Sequence, residues 1–153
     1  MSMEALIDTQ TLIDNFNRRG DELPEKLQKF VTEVSFIVQG NIQDEAPVIT
    51  GNLQSSIRRE SLGSFIYRIF PDEAIAPYAY FVLKGTDPHE IVITPKNAKA
   101  LNTPFGLFKK VVVNHPGTDS NPFFDRGIQN SQSDIDAEIA TFTSWLTGES
   151  DDY

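Results

Sequence analysis

His89 and His115 are the only two histidines in 153 residues and cysteine is absent, so the chain offers few groups that could ligate a metal. Zinc takes four converging Cys, His or carboxylate ligands, and neither an H-x-x-x-H spacing nor the D-x-D-x-D-G of a calcium loop occurs. His89, within Asp87-Pro88-His89-Glu90, reads as a polar residue at a strand start. No G-x-S-x-G elbow marks a nucleophilic serine. No local pattern forces two of the 22 acidic residues into one apolar pocket, which acid-base catalysis by carboxylates requires. The nine glycines are scattered, with neither G-x-G-x-x-G nor G-x-x-x-x-G-K-[ST] to cradle phosphate. Arg18-Arg19, Arg58-Arg59 and Lys109-Lys110 are isolated basic doublets, the pattern of solvated faces rather than of a nucleic-acid track. No metal, cofactor or enzymatic activity is expected. A small hydrolase with a site gathered from dispersed residues is the remaining catalytic alternative.

Composition indicates a soluble globular chain. Apolar residues make up 39% of the chain, charged residues 23%, and eleven phenylalanines supply core material. One α+β domain is expected over residues 1–148, followed by an acidic disordered tail at 149–153. The net charge of -9 disfavours gripping a phosphate backbone. The start M-S-M-E-A-L-I-D is unlike a secretory signal, and no run of about eighteen apolar residues is present. Synthesis and residence in the cytosol, without membrane attachment, are the expectation.

The elements follow from periodicity. Asp8 to Arg19 predicts a short helix with Leu12, Ile13 and Phe16 on one side, closed by a left-handed Gly20. Pro24 to Asp44 predicts a long helix carrying Leu27, Phe30, Val31, Val34, Val38 and Ile42. Thr50 can cap a short helix over Gly51 to Ile57. Ile57 to Leu62 and Phe65 to Phe70 predict a hairpin turning at Gly63 and Ser64. His89 to Thr94, Ala98 to Thr103 and Leu107 to Asn114 predict a second antiparallel set, with Thr94 to Gly106 as a mobile loop should those strands fail to form. A last helix is expected from Asn121-Pro122 through Leu146, ended by Gly148. The resulting architecture is an antiparallel β-sheet packed against a long N-terminal helix and a C-terminal helix.

Three stretches stand in a telling order: A-P-V-I-T-G-N-L-Q-S-S-I from Ala46, Y-A-Y-F-V-L-K-G-T from Tyr78, and H-P-G-T-D-S-N-P-F-F from His115. Their order and spacing resemble the head-tail connector and tail-completion (neck) proteins of long-tailed bacteriophages. That resemblance also tips Tyr78 to Leu83 toward a short helix before the Gly85 turn. It implies a structural protein of the virion at the head-tail junction, in a ring usually of six copies that docks on other neck and tail proteins and lets DNA pass. A tail terminator or minor tail component is the neighbouring alternative, and the isolated chain can be a monomer where closure needs a template. Tyr78, Tyr80, Gly85, Thr86, His115, Pro116, Gly117, Thr118, Phe123 and Phe124 are the candidate contacts with copies or partners. For Phe123 and Phe124 individually, anchoring the helix that follows them is the favoured reading, while for the loop as a whole the two roles are nearly balanced.

Overall fold

The computed structural model describes residues 9–96 and 99–150. In chain order the elements are α1 (Thr9–Glu45), α2 (Asn52–Ser56), β1 (Ile57–Gly63), β2 (Ile66–Pro71), α3 (Ala79–Lys84), β3 (His89–Ile93), β4 (Leu101–Thr103), β5 (Gly106–Phe108), β6 (Val111–His115), α4 (Phe123–Asn130) and α5 (Gln132–Thr147). The fold is α+β, with α1 packed on the β1–β2 hairpin and on α4 and α5. The chain divides into two compact units: the described parts of Met1–Ala76 and Phe123–Tyr153 form one, and Pro77–Pro122 forms the other.

In the first unit, α1 is one helix of 37 residues, not the two predicted helices separated by a cap at Gly20. Pro24 sits inside it, lacks an N–H and crowds the carbonyl four residues back. That carbonyl belongs to Gly20, so the hydrogen bond it would accept from residue 24 is not made. The expected face of Leu12, Ile13 and Phe16 lies outside the described side chains.

Further along α1, Arg59 of β1 lies under the helix between two aromatic rings, 3.4 Å from the centroid of Phe36 and 4.9 Å from that of Tyr67. Its guanidinium donates to Ser35 Oγ at 2.7 Å, and Gln39 Nε2 donates to the Ile57 carbonyl at 3.0 Å. These bonds fix the hairpin to the helix through polar as well as apolar contact. The hairpin forms as expected, with Ile57 opposite Pro71 and Ser61 opposite Tyr67. Its turn falls at Ser64 and Phe65, one residue later than predicted, because a bulge between Ser61 and Gly63 absorbs the extra residue. The short α2 forms too. Thr50 Oγ1 accepts the Asn52 N–H at 3.4 Å, with Gly51 (φ 79°) at the N-cap.

The C-terminal helix is not continuous. Ser131 separates α4 from α5, its hydroxyl fully buried and donating to the Gly127 carbonyl at 2.7 Å. Such back-bonding of a serine to position i−4 bends helices, and the apolar stripe alone does not reveal it. α4 crosses α1 where Gly127 meets the fully buried Ile42; a Cβ at 127 would lie 2.5 Å from Ile42 Cα. The Glu45 carboxylate fastens the same crossing, accepting from Arg126 Nε at 2.7 Å and Asn130 Nδ2 at 2.9 Å. α5 packs by Phe142, 5.1 Å from Phe30 and 5.8 Å from the buried Trp145. It ends as expected at Gly148 (φ 87°), where Glu149 N–H bonds to the Ser144 carbonyl. Residues 151–153 of the expected tail lie outside the described residues.

In the second unit, β3 pairs with β6 from His89 opposite His115 to Ile93 opposite Val111, while β4 and β5 form a separate short hairpin. The single strand predicted over Leu107 to Asn114 is thus divided: β5 ends at Phe108 and β6 begins at Val111, with Lys109 and Lys110 between them. Residue 98, the expected start of the preceding strand, lies outside the described residues, and β4 begins at Leu101. The stretch from Thr94 to Gly106 therefore contains a strand and a tight turn rather than loop alone.

Candidate functional site

Two motifs distant in sequence close on each other within Pro77–Pro122. Gly85 ends α3 at φ 74° and Gly117 turns the chain after β6 at φ 88°, backbone angles that L side chains rarely adopt. Between them, Thr86 and Thr118 exchange backbone hydrogen bonds of 2.9 and 3.0 Å. A Cβ on Gly85 would lie 2.4 Å from the Thr118 carbonyl oxygen, and one on Gly117 2.3 Å from that of Thr86. Each glycine is therefore required by the other turn's backbone. The Asn121 N–H adds a bond of 2.9 Å to the Val82 carbonyl, tying the end of the loop to α3.

The two histidines stack at 5.1 Å as cross-strand partners at the head of the β3–β6 ribbon. His89 Nδ1 donates to the Asp87 carbonyl at 2.8 Å, and His115 Nδ1 accepts the Gly117 N–H at 3.0 Å. Both nitrogens thus serve the turns. Among the described residues no group of three or more His, Asp or Glu side chains converges as a metal site would require. An open polar concavity of about 600 Å³ lies over the paired turns, with Lys84, Asp87, Asp119 and Ser120 on its rim. Its walls are turn backbone, Pro88, Pro116 and exposed polar side chains, and it lacks the mainly apolar lining of a small-molecule site.

Of the candidate contacts, the structure brings Gly85, Thr86, His115, Pro116, Gly117 and Thr118 together. Tyr78 and Tyr80 stand exposed at the start of α3, and Tyr80 meets the exposed Phe81 edge-on at 5.9 Å. Phe123 and Phe124 belong to the other unit. Phe123 is fully buried at the first turn of α4, with Phe124 packed against it at 6.0 Å, which is the helix-anchoring arrangement.

Sequence reasoning missed the apolar character of the ribbon itself. Ile91, Val92 and Ile93 on β3 and Val112 and Val113 on β6 are all exposed, and on the β4–β5 hairpin Phe105 is 90% and Leu107 73% exposed. A signal was available. Ile91-Val92-Ile93 and Val111-Val112-Val113 are apolar at every position instead of alternate ones, so both faces of the ribbon are apolar.

What this arrangement offers is a stiffened, two-faced apolar ribbon beside paired turns, chemistry suited to holding another surface. No described helix is long and apolar enough to cross a membrane. No curated protein and no solved structure matches the chain. The family model HK97-gp10_like, described as "Bacteriophage HK97-gp10, putative tail-component", matches residues 10–100. That span covers more than half of the chain and contains the first two of the three motifs, through the Gly85 turn. The chain therefore belongs to the bacteriophage HK97 gp10-like family of phage structural tail components.

Proposed function

We propose that this protein is a non-enzymatic assembly component at the junction of phage head and tail, where copies of it form or join a ring that links capsid to tail and leaves a passage for DNA. The observation that carries the reading is the exposed apolar ribbon. An isolated two-stranded ribbon is marginally stable in water, and one with aliphatic side chains on both faces gains most from being covered by a partner. Tyr78 and Tyr80 are exposed in the same unit. Acidity fits the passage: like charge keeps DNA from adhering, whereas a basic wall would hold it through counterion release.

Labelling the chain in purified particles tests this directly. Label at the neck, together with unjoined heads and finished tails when the chain is missing, is the expected result; absence from particles would end the reading. The family's description as a tail component favours one second reading, a tail terminator or minor tail component. In that case loss of the chain would give tails of abnormal length instead of normal tails lacking heads.

A further inference from the structure

We propose that the junction between the β3–β6 ribbon and the β4–β5 hairpin is a contact for the phosphate backbone of duplex DNA, made by Lys96, Lys99, Lys109 and Lys110. This rests on the reading above for the source of the polyanion, the DNA that the ring lets pass.

The Lys109-Lys110 doublet is isolated in sequence but not in space. Ile93 stands opposite Val111, and Leu101 opposite Phe108. The two links between ribbon and hairpin, residues 94–100 and 109–110, therefore begin and end at paired residues and share one junction. Lys96 and Lys99 lie on the first link, Lys109 and Lys110 make up the second, and all four are exposed.

No carboxylate answers them. From Ile91 to Thr118 the sequence holds these four lysines and no Asp, Glu or Arg, while the rest of the chain holds nine basic and 22 acidic residues. Among the described residues none of the four ammonium groups has an ion pair or a hydrogen bond. Arginines of the other unit differ: Arg58 meets Asp72 at 3.9 Å, Arg68 meets Glu60 at 2.7 Å, and Arg126 meets Glu45 at 2.7 Å. Four like charges at one junction repel one another, and a polyanion laid across them relieves that repulsion and releases its condensed counterions.

The residue types set the kind of contact. Lysine is a point charge on a flexible stem, suited to phosphate oxygens, and the arginine fork that reads guanine edges is absent from residues 77–122. No neighbouring side chain fixes the ammonium groups in the set geometry that favours one carboxylate of a protein partner, so a diffuse polyanion is the better match. Such a contact is independent of sequence and weak for one copy, which lets a duplex slide, and copies in a ring add their contacts. The carboxylates elsewhere keep the duplex from adhering, and the lysines give it one place to touch.

Anisotropy of a labelled duplex of arbitrary sequence, titrated with the full-length chain, tests this. At low salt the native chain is expected to bind, with affinity falling about tenfold for each doubling of salt if all four lysines neutralise phosphates. Lys109→Gln with Lys110→Gln should weaken binding several-fold, and Lys→Gln at 96, 99, 109 and 110 together should abolish it, while amide exchange at Thr86 and Thr118 stays slow and shows the unit folded. Arg18→Gln with Lys29→Gln removes the same charge as the first pair from exposed positions of α1 and should leave binding unchanged. Four results would overturn the inference: no binding at low salt; an equal loss from the α1 pair; loss of binding with Phe105→Ala, which would mean unpaired bases stacked on the hairpin tip; or lysine-dependent capture of poly-glutamate more tightly than of the duplex, which would make an acidic protein segment the occupant. Failure to bind DNA by a chain found at the neck refutes this contact alone, and absence from particles of a chain that binds DNA through these lysines refutes the functional reading alone.

Discussion

Gly85 and Gly117 show how much one missing methyl group can decide. Alanine at either position would have to hold a positive φ and push its Cβ into a carbonyl of the opposite turn, at 2.4 or 2.3 Å. Gly85→Ala and Gly117→Ala are expected to cost about 2–3 kcal/mol or more, read out as rapid exchange of the Thr86 and Thr118 amides. Gly127 and Gly40 form a sharper pair, since both lie in helices and alanine gains about 1 kcal/mol of helix propensity at each. At 127 the new methyl meets the Ile42 backbone at 2.5 Å, and at 40 it meets nothing within 4 Å. Gly40→Ala should therefore stabilise by about 0.5–1 kcal/mol and Gly127→Ala destabilise by about 1–3 kcal/mol in urea denaturation. Loss of stability at both positions would mean that the α1–α4 crossing is not packed this closely.

Elements formed where local pattern and chain context agreed, and they shifted where one residue had tertiary work to do. The β1–β2 hairpin and α2 were legible because alternation, turn residues and helical spacing pointed the same way, whereas the short α3 was ambiguous by pattern and was indicated by the family resemblance. The break at Ser131 was not legible, because a buried hydroxyl bonding back to Gly127 leaves no trace in the apolar stripe. The continuity of α1 through Pro24 was hidden for the opposite reason: a local breaker is overruled by packing along the rest of the helix. The paired turns were legible as motifs but not as a pair, since nothing local indicates that Gly85 and Gly117 fit each other's backbone. Polar fastening between elements is modest in comparison. Arg126 and Glu45 are both partly exposed, so a double-mutant cycle on them should give a coupling of about 1 kcal/mol or less that shrinks with added salt.

At the scale of the molecule, charge and apolar exposure are both unevenly shared between the two units. Residues 77–122 carry the exposed ribbon and hairpin and a small positive charge, while the remainder holds the helical core and nearly all of the acidity. A segment with little buried apolar surface opens at lower free energy than a helical core. Native-state hydrogen exchange should therefore find the β3–β6 and β4–β5 amides opening well before those of α1, α4 and α5. A single common opening free energy for all of them would contradict this.

Pro24 and Gly20 leave α1 with a crease: one turn where a hydrogen bond is already forfeited and bending is cheapest. Trp145 lies across it. Arg19 on one side of the crease stands 5.4 Å from the indole centroid and donates to the Trp145 carbonyl, and Lys26 on the other side stands 5.9 Å from the same ring. The indole bridges both arms of the helix, so Trp145→Ala is expected to remove more than core volume, with faster amide exchange around Pro24 as the sign that the longest rod in the protein has loosened there.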